Sequence, residues 1–308
     1  MLLLITAATG KVGTALIARI AANPKWQGLP IRALCHNRLP AAAANVEVMR
    51  GSISEPADVE RAMVGVTHVI HLATCKEVPE LVMDVTVKGL FWLLESFRTS
   101  PSAQQFILLG GDAGVGHFFY RHDGPVTVST PLRAYPGCYA LSKVLEEVML
   151  TRFTVQYGLN TSCLRAPSIM EKDDFRHTLS FGDDLFGGPD WKTMVPEDVA
   201  AKCRAAGTIP VLHDADGKPL KRNFVHLDDL TAALLLVLDN PVTGGKTYNI
   251  SMDEPVDYGD PATYLKADRG LGSITIPSKF HSTRLDNGPA NDGGGDGTEV
   301  PCRHPCWW

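Results

Sequence analysis

Short apolar, β-branched runs alternate with stretches of helical period along the first two-thirds of the chain. That alternation predicts βαβ units on a parallel sheet. Leu2–Thr6 reads as a first strand entering a glycine-bearing turn, and Gly13–Ala22 as the helix after it. Further strands are predicted at Pro30–Cys35, Val46–Arg50, His68–Leu72, Gln105–Leu109 and Leu159–Leu164. Helices are predicted at Pro56–Met63, Val82–Phe97 and Tyr139–Tyr157. The expected fold class is therefore α/β, with a parallel sheet flanked by helices.

The pattern loosens after Arg165. Glu171–Gly188 mixes charge, glycine and aromatics, Thr193–Cys203 has a helical pattern, and Asn223–His226 is a short strand. An apolar helix over Asp228–Leu238 and a strand at Thr247–Ile250 follow. Residues 1–165 are expected to form a first domain on which 223–250 packs back. Residues 166–222 and 251–287 would form the substrate-binding part. From Gly288 the chain has too little apolar surface to fold, so 288–308 is expected to be a disordered tail.

Composition narrows the function class. The 308 residues are 44% hydrophobic and 20% charged, ordinary for a soluble globular protein. A net charge of -5 offers no basic patch for nucleic acid or a membrane surface. The apolar run Met1–Ile5 is too short for a signal segment, and nothing approaches the ~20 apolar residues of a membrane span. Seven scattered cysteines suit reduced thiols better than a disulfide framework. The expectation is a cytoplasmic protein that takes a small-molecule substrate and has no nucleic-acid or membrane partner. Cys302, His304 and Cys306 offer three soft ligands where a structural metal site wants four, and no metal is expected.

Two motifs carry chemistry. Thr9-Gly10-Lys11-Val12-Gly13 places backbone amides at a helix amino end, where they can hold pyrophosphate oxygens. Gly10 lets the backbone approach the phosphates and Gly13 allows close helix–strand packing, while Ala7 stands where a first glycine would be. Thr6, Ala8, Thr9, Gly10, Lys11, Val12 and Gly13 are the candidate cofactor residues of this turn. At the end of the second strand, Cys35-His36-Asn37-Arg38 contains no acid to grip a ribose 2′-hydroxyl. His36 and Arg38 tilt the choice of NADP or NAD slightly toward NADP. The second motif is Tyr139-Ala140-Leu141-Ser142-Lys143, whose i, i+4 spacing puts phenol and ammonium on one helix face. A cation ~4 Å from a phenol at a dielectric of ~20 favours the anion by ~4 kcal/mol, ~3 pK units.

An ordered series of motifs resembles the extended short-chain dehydrogenase/reductase superfamily, and the NAD-dependent epimerase/dehydratase group within it. After the turn come His71-Leu72-Ala73, then Gly89 through Leu93-Leu94-Glu95, then Tyr139-x-x-x-Lys143 with Ser142 inside it. Leu164-Arg165-x-Pro167 and Asn223-Phe224-Val225-His226-Leu227-Asp228-Asp229 follow in the family's order. The likeness spans roughly residues 1–287. It implies a doubly wound parallel sheet of Rossmann type in a dinucleotide-binding domain over 1–165, with a smaller, discontinuous α/β substrate domain. It implies Tyr139 as acid/base, Lys143 on the nicotinamide ribose, and Leu72 and Ala73 beside the cofactor. It also implies Thr74 and Arg222 as substrate contacts, Arg222 through a bidentate grip on a diphosphate. Many members dimerise through helices including the one bearing Tyr139, so a homodimer is expected.

Two departures bear on mechanism. Gly111 falls where the family places the Ser or Thr that hydrogen-bonds the reacting oxygen; Asp112 and Thr74 are candidate replacements. Ala113 occupies the position of the glutamate that drives elimination in dehydratases, which disfavours 4,6-dehydration. Nothing resembling the family's closing element follows His281–Asn287, suggesting a replaced ending. The resulting expectation is an NAD(P)-dependent oxidoreductase or epimerase acting on a hydroxyl or carbonyl of a sugar nucleotide or similar metabolite. The alternative is a dinucleotide-binding sensor without turnover.

Overall fold

The computed structural model describes residues 1–182 and 188–288. Strands β1 (Leu3–Thr6), β2 (Ile31–Cys35), β3 (Val46–Arg50), β4 (His68–His71), β5 (Gln105–Gly111) and β6 (Thr161–Ala166) follow the predicted succession. They lie in one parallel sheet of order β11-β6-β5-β4-β1-β2-β3, whose seventh strand, β11, is Lys246–Asn249. The chain builds outward from β1 to β3, then returns to lay β4 on the other side of β1. Ligands of open α/β sheets bind at such a reversal, outside the carboxyl ends of the strands.

Side-chain alternation along β1 assigns the two faces. Leu3 and Ile5 pack with Leu16 and Ile20 of α1 (Lys11–Ala22) and with Leu230 and Leu234 of α8 (Leu227–Val237). Leu4 joins Val59 of α2 (Pro56–Met63), Leu93 and Leu94 of α4 (Gly89–Thr99), and Leu150 and Phe153 of α5 (Cys138–Tyr157). Each such buried side chain stabilises the fold by roughly 1.5–3 kcal/mol, so a charge at Leu4 would disrupt the sheet's packing.

Local departures from the predicted elements have physical causes. The helix expected at Val82–Phe97 begins earlier, as α3 (Pro79–Val82), and passes through a π-helical stretch, Met83–Lys88, into α4. Inside that stretch the buried Thr86 hydroxyl accepts a 2.8 Å bond from the Cys75 amide, tying the helix to the loop after β4. The helix expected at Thr193–Cys203 divides into α6 (Trp191–Met194) and α7 (Glu197–Ala206). Pro196, at φ -57 and ψ 139, lacks an amide proton and biases the residue before it away from helix.

The later region holds short elements that carry too little pattern to be read. These are β7 (Ser168–Met170), β8 (Ile209–His213), β9 (Lys221–Arg222), β10 (Phe224–His226), β12 (Val256–Asp257), α9 (Gly259–Arg269) and β13 (Ser273–Pro277). Of these, only β10 was anticipated. They pair two by two, β10 with β7, β12 with β9 and β13 with β8. Their shared core contains Met170, Trp191, Leu212, Phe224 and Tyr258. The expected tail beyond Gly288, including Cys302, His304 and Cys306, lies outside the described residues.

Candidate active site

The glycine turn joins β1 to α1. Gly10 is the helix's N-cap and no side chain caps it, so the amides of the first turn face outward unclaimed by any intrahelical acceptor. A Cβ on Gly13 would stand 2.5 Å from the Ala7 carbonyl oxygen and 2.7 Å from Ala8 Cα, so only glycine permits this approach. Ala7 itself sits at φ +50, the left-handed conformation that the family's glycine would take without strain. The turn thus fits a dinucleotide pyrophosphate. Thr9, Gly10 and Val12 are partly buried around it and Ala8 is fully buried beneath it.

Two predicted cofactor residues have other tasks. Thr6 is fully buried, and its hydroxyl accepts from the Leu72 and Ala73 amides at 3.0 and 3.2 Å. It also lies 2.9 Å from His71 Nδ1, so the Thr6 hydroxyl fixes the exit of β4. Lys11 pairs with Glu171 at 3.2 Å and with Asp174, clamping the segment after β7 across the turn. His36 and Arg38 are exposed just beyond β2, and Thr74 is exposed just beyond β4.

Tyr139 and Lys143 occupy the first turns of α5, with Lys143 Nζ 5.6 Å from the Tyr139 ring centroid. Gly111, the last residue of β5, meets both. A Cβ built there would lie 3.7 Å from Tyr139 Oη and 3.6 Å from Lys143 Cδ. The family's three positions therefore converge at the carboxyl end of β5, with the hydroxyl missing. Glu77, from the loop after β4, accepts from the Cys138 amide at 2.5 Å and the Tyr139 amide at 3.3 Å. Its carboxylate satisfies the amino end of α5 and holds Tyr139 in place. The sequence signal for Glu77 was slight: one acid in a loop far from the helix it serves.

Asp112 and Arg222 depart from their expected roles. Asp112 is buried, with Oδ2 2.6 Å from His117 Nδ1, so its carboxylate is taken up there. Arg222 is 5% exposed; its Nη2 donates to Ser168 Oγ at 3.0 Å and its Nε to His117 Nε2 at 3.4 Å. Its guanidinium stacks 4.0 Å from the Phe118 ring centroid. Asp112, His117, Arg222 and Ser168 form a buried polar chain from the β5 exit to β7, and the Arg222 fork is engaged within the protein. Arg165, fully buried, binds Glu147 at 2.5 Å and Asn249 at 3.2 Å, joining α5, β6 and β11. At the start of α8 the cap is His226, whose Nδ1 accepts from the Asp228 amide, with Asp228 and Asp229 in the first turn.

Electrostatics around Tyr139 differ from the two-residue expectation. Burial pushes its phenol above the usual value; Lys143 opposes that shift, and Glu146 and Asp112 add to it. The reason is a third charge. Glu146 Oε2 lies 2.8 Å from Lys143 Nζ, with side chains 1% and 3% exposed, so the ammonium's field is largely neutralised. Spacing alone could have flagged Glu146, because i, i+3 on a helix is a pairing distance. Burial draws the Lys143 ammonium down, but Glu146 and Tyr139 leave it above its ordinary value. Burial, with Lys143 beside it, pushes the His71 imidazole down to about 3, so it is neutral. Among the described residues no group of three His, Cys, Asp or Glu side chains could hold a metal ion, and no helix is long and apolar enough to cross a membrane.

Comparisons with known proteins bear on the fold and the family. The chain is 23% identical over 268 residues to vestitone reductase of Medicago sativa, covering 80% of this chain and 75% of that protein. A short-chain dehydrogenase/reductase superfamily protein from Agrobacterium tumefaciens, solved with bound NAD, superposes with TM-score 0.80 at 22% identity, covering 96% and 92% of the two chains. The dTDP-glucose 4,6-dehydratase of Streptomyces venezuelae, solved with NAD, gives 0.70 at 19% identity, covering 96% and 91%. The UDP-glucose 4-epimerase of Thermotoga maritima, solved with UDP-glucose, gives 0.70 at 18% identity, covering 95% and 92%. At these identities the structural likenesses establish the fold. Family membership rests on the sequence itself: residues 3–251 match the NAD dependent epimerase/dehydratase family, and the chain belongs to it.

Proposed function

We propose that the protein interconverts an alcohol and a carbonyl on a sugar nucleotide or similar small metabolite, as an oxidoreductase or epimerase, with Tyr139 as the acid/base. The observation that carries this reading is the convergence of Tyr139 Oη, the Lys143 stem and the Gly111 Cβ position within 3.7 Å at the carboxyl end of β5. A nicotinamide bound there would accept or supply the hydride. In reduction, the Tyr139 O–H bond breaks and its proton passes to the substrate oxygen as that oxygen's carbon gains hydride; solvent then reprotonates the phenolate. In oxidation, the phenolate takes the alcohol proton. Lys143 lies beside the phenol to hold the ribose and to steady the phenolate. Epimerisation adds one requirement, that the carbonyl intermediate turn its other face before reduction.

His36 and Arg38, exposed at the end of β2 with no acid between them, favour the 2′-phosphate of NADP over the bare ribose of NAD. A homodimer is the assembly we expect, because α5 exposes Leu141, Val148 and Val155 at seven-residue intervals beside exposed Leu81, Met83 and Phe91.

The test is a fluorescence titration with NADPH and NADH on wild type and Tyr139→Phe, followed by a screen of nucleotide sugars and ketones. Both proteins should bind nucleotide, NADPH more tightly, and wild type alone should turn substrate over. Binding without turnover by wild type would instead support the sensor reading that Gly111 raises. Failure to bind either nucleotide would remove the proposal.

A further inference from the structure

Glu146 has no role in the reaction just described, yet it sits at its centre. It follows Lys143 by one turn of α5 and is 1% exposed. Apart from the 2.8 Å ion pair with Lys143, neither of its carboxylate oxygens has a partner among the described residues. Burying a carboxylate this deeply costs several kcal/mol unless a cation compensates it. Here the one compensating cation is the catalytic lysine.

The neighbouring charges do not change that assignment. Glu147, next on α5, is held by Arg165 from β6. Asp112, after β5, lies 2.6 Å from His117 and adds a smaller push on the phenol than Glu146 does. His71, from β4, is neutral, and burial and nearby carboxylates keep the Cys163 thiol of β6 protonated. The Lys143 charge is therefore shared between Glu146, whose Oε2 lies 2.8 Å from Nζ, and Tyr139, whose ring centroid lies 5.6 Å from it.

We propose that Glu146 is a positioning residue for this reaction: its buried carboxylate anchors the Lys143 ammonium, cancels its field at Tyr139, and keeps the proton on the phenol through the neutral range. The inference rests on Tyr139 being the acid/base. Its consequence is a division by pH. Carbonyl reduction needs the phenol and so holds through the neutral range. Alcohol oxidation needs the phenolate and so rises only toward alkaline pH.

The phenol can be read without turnover. Ultraviolet difference titration of wild type against Tyr139→Phe, without nucleotide, isolates the Tyr139 ionisation. The same pair in a Glu146→Gln background shows what the carboxylate does. Tyr139 should titrate above the ordinary phenol value of about 10 in wild type and about one pH unit or more lower in Glu146→Gln. Equal midpoints in the two backgrounds would overturn the proposal. So would a wild-type midpoint near about 8 or below, a result that decides even if Glu146→Gln does not fold. A protein that binds nucleotide yet turns nothing over would still give this titration, so failure of the function and failure of this inference are separately visible.

Discussion

Replacing Gly111 with serine should raise activity. The backbone there is extended, φ -147 and ψ 148, a conformation open to any residue. A Cβ at that position meets nothing closer than 3.6 Å, which is ordinary contact, and stands 3.7 Å from Tyr139 Oη. A hydroxyl on that Cβ can therefore come within hydrogen-bond reach of Tyr139 Oη and of a substrate oxygen seated against it. Removing one donor of this kind from an enzyme costs about 10²–10³ in kcat, roughly 2.7–4 kcal/mol. A donor restored without a tuned surround should recover about half of that free energy, so Gly111→Ser should raise kcat for carbonyl reduction roughly 10- to 30-fold. Gly111→Ala is the control, because it adds the same Cβ without the hydroxyl. Both variants should bind nucleotide like wild type, and both should melt slightly higher, since a strand glycine loses more backbone entropy on folding. If the folded serine variant turns over no faster than the alanine variant, the hydroxyl position has been misassigned. The site would then stabilise the substrate oxygen by other means.

Three further outcomes follow from the same geometry. Ala7→Gly should relieve the φ +50 strain and stabilise the protein by about 0.5–1 kcal/mol in urea titration, with unchanged or tighter nucleotide binding. His71, held down to about 3 by burial and by Lys143, takes up its proton on unfolding at about 6.5. Its contribution is therefore fully present above about 6.5 and lost progressively as pH falls toward about 3, by roughly 2–3 kcal/mol at pH ~4.5. His71→Gln should flatten that part of the urea-midpoint profile, and an unchanged slope would refute the assignment. Val148→Glu on the exposed face of α5 should convert a dimer to a monomer by light scattering while leaving the fold's circular dichroism intact.

How much of this was legible in the sequence depends on how local each cause is. The six strands up to Thr161–Ala166 announce themselves because each is a short apolar run between helical patterns. Tyr139, Lys143 and Gly111 were legible because motif order fixed their places, and the structure brings them together. Strands β8 and β13 were not, since Pro210 interrupts one and the other, though it alternates, is a five-residue run that ends in a proline. The roles of Thr6, Lys11, Asp112 and Arg222 depend on partners 65, 163, 5 and 105 positions away, and three of those partners lie across the fold. Glu77 and His117 escaped notice for the same reason. No spacing rule links a loop acid to a helix end 61 residues on.

Gly111 and Glu146 are two departures that meet at Tyr139. Gly111 withholds a donor from the reacting oxygen, and Glu146 withholds the full charge of Lys143 from the phenol beside it. Each leaves developing negative charge less stabilised, so each lowers the same barrier when reversed. Because both act through Tyr139, their effects should not multiply. Once Lys143 is released by Glu146→Gln, the phenolate is steadier and an added hydroxyl has less charge left to stabilise. The Gly111→Ser/Glu146→Gln enzyme should therefore gain less than the product of the two single gains, by a coupling of about 0.5–3 kcal/mol as neighbouring sites show. Reduction rates of the four proteins, measured at a pH well below the phenol's midpoint, close that cycle. Strict multiplicativity would mean that the two residues act on separate steps, and that Glu146 reaches something other than Tyr139.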